Sequence, residues 1–156
     1  MSETYETLCG KCSAYLEKIG WKYSVEDGEN EKVMRFSVKG NDLDMDCIIK
    51  FIAAGTGLTF LSPIPVTFKG DKIFDGLMAI NEINKQLGIG SLDFDMETGG
   101  VLYNITNFFA GCTLDSDEIF MLLIHLPLEI VDKYNDKLLL LSLGAIDFQE
   151  FLNKIA

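Results

Sequence analysis

Between Trp21 and Ser62 apolar and polar residues alternate through successive segments, each parted from the next by a short polar turn. A period of two puts consecutive side chains on opposite faces, which marks strands, and turns this short join only antiparallel neighbours. Trp21 to Glu26 and Lys32 to Val38 flank Asp27-Gly28-Glu29-Asn30, which has hairpin turn chemistry. In the second of these, Met34, Phe36 and Val38 alternate with Arg35, Ser37 and Lys39. After Gly40-Asn41-Asp42 a strand is expected from Asp46 to Ala53, and Gly55-Thr56-Gly57 turns into another from Leu58 to Ser62. Pro63 and Pro65 are expected to end that strand, because proline cannot donate to a ladder. Further on, Leu92, Phe94 and Met96 alternate with Asp93, Asp95 and Glu97; Thr98-Gly99-Gly100 turns, and Val101 to Phe108 returns.

Helical spacing brackets these strands. Tyr5, Leu8, Cys9, Cys12, Tyr15, Leu16 and Ile19 recur at three- and four-residue steps before Gly20. A second helix is expected from Asp71, as N-cap, to Leu87, burying Ile73, Leu77, Ile80, Ile83 and Leu87. A third is expected to start at a capping-box-like pair, Asp115 with Glu118, and to kink or split at Pro127. A terminal helix carries Phe148, Phe151, Leu152 and Ile155. Hairpin-linked strands broken by two main helices predict an α+β fold, with an antiparallel sheet and helices mainly on one face. With 156 residues and no linker or repeat, residues 1–156 form a single domain in this reading.

Thirteen basic against 24 acidic residues give a net charge of −11. That surface repels phosphate backbones, so nucleic acid and anionic membrane are poor partners, whereas a basic or amphipathic protein segment is attracted. Ile119 to Val131, the most apolar stretch, is broken by His125, Pro127 and Glu129 and is too short to cross a bilayer. Four cysteines with no signal peptide at the acidic N-terminus point to reduced thiols and a cytoplasmic location.

Few residues offer chemistry. Cys9-Gly10-Lys11-Cys12 is a C-x-x-C pair, but it lies within a helix on its buried stripe, with no strand before it. Zinc would need two further ligands, and Cys47 and Cys112 stand far downstream. Asp42, Asp44 and Asp46 could open a calcium loop, yet the sixth and twelfth positions hold Cys47 and Ala53 instead of glycine and glutamate. His125, the single histidine, sits near an apolar stripe as a structural residue would. No catalytic, cofactor-binding or metal-ligating residue is therefore assigned, and no enzyme is expected. One feature stands out. Ile48, Ile52, Leu61 and Leu102 oppose the strand faces that carry Cys47, Ile49, Phe51, Phe60, Val101 and Tyr103, so the sheet is apolar on both sides. Either the long helix region covers the second face or a partner does, with those four residues as anchors.

Ala79-Ile80-Asn81-Glu82-Ile83-Asn84, Leu92-Asp93-Phe94-Asp95, Val101-Leu102-Tyr103 and Leu114-Asp115 before the long helix resemble the YbjN family, across roughly Trp21 to Leu143. That family resembles in fold the class I chaperones of type III secretion. Where members often carry arginine after the aromatic of the returning strand, this chain has Asn104. The resemblance implies a small acidic, often dimeric protein that binds other proteins, and it implies no catalytic residue. The expected function is thus a non-catalytic protein-binding domain, chaperone-like or regulatory, acting on a protein client or on itself as a homodimer. The alternative is a thiol redox or metal protein built on Cys9 and Cys12.

Overall fold

A computed structural model describes residues 5–29, 31–52 and 56–156; the expected positions Asn30, Ala53 and Gly55 and the first four residues lie outside them. Helix α1 (Tyr5–Lys18) leads into β1 (Ser24–Asp27), β2 (Lys32–Lys39), β3 (Asp44–Ile52) and β4 (Gly57–Thr67). Helix α2 (Lys72–Gln86) precedes the hairpin of β5 (Ser91–Phe94) and β6 (Gly100–Phe108). The C-terminal part is helical: α3 (Asp117–Phe120), a π-helical turn (Met121–His125), α4 (Leu126–Ser142) and α5 (Phe148–Ile155). The six strands form one antiparallel sheet in the order β1-β2-β3-β4-β6-β5, so this is an α+β fold.

Alternation decides what the helices cover. Met34, Phe36, Cys47, Ile49, Phe51, Leu58, Phe60, Val101 and Tyr103 share one core with Leu16, Ile83, Leu138 and Phe151 of the four long helices. The residues between them on the strands are not in that core. Helices therefore seal one side of the sheet, and the region after Pro127 joins that side.

Pro63 and Pro65 do not end β4, contrary to the sequence expectation: the strand continues to Thr67. Pairing with β3 stops at Ile48↔Leu61, whereas pairing with β6 runs on through Pro63↔Leu102. Carried on by two residues, the register would set Asp46 opposite Pro63, which has no N–H to give. The Ser62 hydroxyl donates to the Asp46 carbonyl instead, at 2.7 Å. The prolines thus lie on a local edge, where a missing donor costs little.

The helix starts need correction too. Asp71 is the N-cap of α2 but its side chain makes no capping bond. Ser116 caps α3, accepting from the Glu118 N–H at 3.2 Å, while Asp115 pairs with Lys11 at 2.7 Å. The capping box is at Asp147 and Glu150, where each side chain bonds the other's backbone N–H at 2.8 Å. Pro127 does not split the helix. It falls on the first turn of α4, just past the π-helical turn, where wider winding makes room for its ring.

Of the stripe expected on α2, Ile80 and Ile83 are buried and Ile73 and Leu87 half-buried, but Leu77 is exposed. The helix buries Gly76, Ala79, Ile80 and Ile83, leaving Phe74, Leu77 and Met78 exposed. A Cβ at Gly76 would sit 2.6 Å from Phe68 and 2.7 Å from Phe94, so the glycine lets the helix approach those rings.

Candidate functional site

The side of the sheet turned away from the helices is built from the register. One row runs across the strands as Arg35, Ile48, Leu61 and Asn104, each paired with the next. The row on one side is Ser37 and Asp46, then Pro63, Leu102 and Asp93. On the other side lies Val33, Lys50, Thr59 and Thr106. Beyond it, Ile52, Gly57 and Phe108 close the pattern. The structure thus brings Ile48, Ile52, Leu61 and Leu102 onto one face, all half-buried and all outside the core. Sequence reasoning missed Phe108, which is 68% exposed at the end of the same face. Continuing the alternation of β6 from Leu102 through Asn104 and Thr106 would have found it.

Polar groups around this apolar strip are mostly bonded to each other. Ser37 donates to the Asp46 carboxylate at 2.6 Å, Thr59 and Thr106 join hydroxyls at 2.8 Å, and Asn104 donates to Asp93. Arg35 lies 3.6 Å from Glu26. A depression of about 480 Å³ opens beside Ile48, lined also by Ser24, Arg35, Ser37, Asp46 and Pro63. It lies where β3 and β4 part. The charges on this face nearly cancel: Arg35, Lys39 and Lys50 against Glu26, Asp44, Asp46 and Asp93. Its net of −1 contrasts with −11 for the chain.

The sheet edges differ. On β5 the Asn84 amide accepts from the Leu92 N–H at 2.8 Å and donates to the Leu92 carbonyl at 2.9 Å. The helix therefore satisfies the outer backbone of that edge strand, which blocks strand addition there.

The cysteine pair sits in the opposite environment. Cys9 and Cys12 are buried in α1, and the Cys12 thiol lies 3.8 Å from the Met34 sulfur. Burial raises the Cys9 thiol pKa and pushes Cys12 up to about 12, as it does Cys47. A thiolate, the form that attacks disulfides or binds metal, is disfavoured there. Among the described residues no cluster of three or more His, Cys, Asp or Glu could hold a metal ion. His125 shares a 2.8 Å hydrogen bond with the Tyr15 hydroxyl, and its ring centroid lies 5.0 Å from that of Trp21.

The raised thiols set a pH dependence. An unfolded cysteine loses its proton near pH 8.5 whereas Cys12 and Cys47 hold theirs to about 12. Between those values the folded chain binds more protons, so stability falls as pH rises. Melting temperature is expected to drop from pH 8.5 to 10.5, and to drop less steeply in the Cys12→Ala, Cys47→Ala variant. Parallel curves would show that other groups set the slope.

Comparison of the sequence with protein-family models gives no match, and comparison with curated proteins gives none either. Among the described residues no helix is long and apolar enough to cross a membrane.

Proposed function

We propose that this chain is a non-catalytic protein-binding domain, chaperone-like or regulatory, that presents the open face of its sheet to other proteins. One observation carries the reading: Ile48, Ile52, Leu61, Leu102 and Phe108 lie together on a face that none of the described helices covers. Fully removing such side chains from water is worth roughly 1.5–3 kcal/mol each, part of which the folded chain leaves unclaimed. Apolar anchors inside a bonded polar rim are how protein interfaces are built. The resemblance to the YbjN family agrees with this reading. Burial of Cys9 and Cys12 weighs against the thiol alternative.

The test is capture of protein clients by the wild type and by the Ile48→Asp, Ile52→Asp variant. The expected result is a client retained by the wild type and lost by the folded variant. Equal recovery by both would overturn the assignment of the face.

A further inference from the structure

We infer that the outer face of the helix around the π-helical turn is a docking site for a basic amphipathic helix of another protein. This is a second surface, separate from the open face of the sheet. Met121 and Leu122 are 52% and 59% exposed and Leu126 is 37% exposed, although they alternate with the core residues Phe120, Leu123, Ile124 and Leu128. The winding that makes room for Pro127 gathers the three. At 3.6 residues per turn Leu126 would lie far round the helix from Met121. A turn wound i→i+5 sets it one turn above both Met121 and Leu122. Single exposed apolar side chains are ordinary on a surface, whereas a contiguous cluster with a polar rim is the pattern of an interaction site.

Charge selects the partner. From Gln86 to Asp132 the chain holds eight acidic residues and no lysine or arginine. Two of them bracket the cluster: Glu118 stands one turn before Leu122 and Glu129 one turn after Leu126, both exposed. Among the described residues neither carboxylate has an ion-pair partner, whereas Asp115 and Asp117 are held by Lys11 and Lys18. Lys133, one turn beyond Glu129, lies over the Tyr134 ring, 5.0 Å from its centroid. An acidic segment is repelled there. A segment that sets lysine or arginine beside both glutamates, with apolar side chains between, is attracted. The partner must also be helical. From Glu118 to Glu129 the backbone is helical throughout, so the face offers little free N–H or C=O, and a chain packed on it must satisfy its own. Eleven residues separate the two glutamates, or roughly 16 Å at about 1.5 Å each, which is the length of about three turns of a partner helix.

The experiment is fluorescence anisotropy of a labelled leucine–lysine peptide of about 18 residues, patterned as an amphipathic helix. It is titrated with the wild type, Leu122→Lys, and the double variant Glu118→Lys, Glu129→Lys, with melting curves confirming that each is folded. The wild type is expected to bind saturably. Leu122→Lys and the double reversal are each expected to raise the dissociation constant roughly tenfold or more, and the reversal to flatten its salt dependence. The same peptide with glutamate in place of lysine is expected not to bind. Ile48→Asp, Ile52→Asp, on the sheet, is expected to stay within about threefold of the wild type. A wild type that does not bind overturns the inference, as does Leu122→Lys or the double reversal without effect. Equal binding of the glutamate peptide overturns it too, since contact would then lack charge selection. If the sheet variant loses the peptide and Leu122→Lys keeps it, the peptide sits on the open face; the inference falls and the docking face stands. A wild type that ignores the peptide and self-associates through Leu122 also overturns it.

Discussion

Ile49→Asp is expected to leave no cooperatively folded chain at room temperature. Ile49 is fully buried, pairs with Met34 and Phe60 across the sheet, and belongs to the core under the helices. The substitution removes an apolar side chain and puts a carboxylate where water cannot reach it. No basic residue belongs to that core. The loss of transfer energy and the burial of an unpartnered group together cost about 4 kcal/mol or more, a large part of the 5–15 kcal/mol that folds a typical domain. A broad, non-cooperative transition by circular dichroism is the expected observation. A sharp transition near that of the wild type would mean that the sealed face has been assigned to the wrong side.

Gly99→Ala is expected to cost about 3 kcal/mol or more, a fall in melting temperature of roughly 6–12 °C for a chain of this size. Gly99 has a φ of 71°, where a side chain strains the backbone. A Cβ there would overlap the Phe68 carbonyl oxygen. That carbonyl cannot swing aside easily, because the Phe68 N–H donates to the Gly99 carbonyl at 2.9 Å and the buried Phe68 ring packs at a tilt against Phe94. Gly10→Ala is the control. Gly10 lies within α1 with open space around it, so added helix propensity should stabilise by up to about 1 kcal/mol. Equal melting temperatures for the two variants would refute the account of the β5–β6 turn.

The sheet was legible because alternation is a local signal: Met34-Phe36 and Leu92-Phe94 announce their faces without any tertiary knowledge. The passage of β4 through Pro63 and Pro65 was not, since it depends on where β3 stops pairing and on a hydroxyl at Ser62 supplying the missing donor. One residue of the α2 stripe, Leu77, was misplaced for a similar reason. Leu77 and Ile80 are equally apolar, and only the close approach of Gly76 to Phe68 and Phe94 shows which side of the helix turns inward. In the candidate site, the common side of Ile48, Ile52, Leu61 and Leu102 followed from period two. What covers that side did not follow, because it depends on which way the helices after Leu114 fold, and they fold onto the other one.

The central claim is that this sheet has one sealed face and one open face, and neighbouring residues of β3 test it most directly. The decisive measurement is the melting curve of Ile48→Asp, Ile52→Asp beside that of Ile49→Asp. The account predicts that the double variant unfolds cooperatively, about 5 °C below the wild type for a cost of roughly 1–2 kcal/mol, while the single variant has no folded state. A double variant that is as unfolded as Ile49→Asp would contradict it, since two charges can destroy the fold only if that face is already covered within the chain.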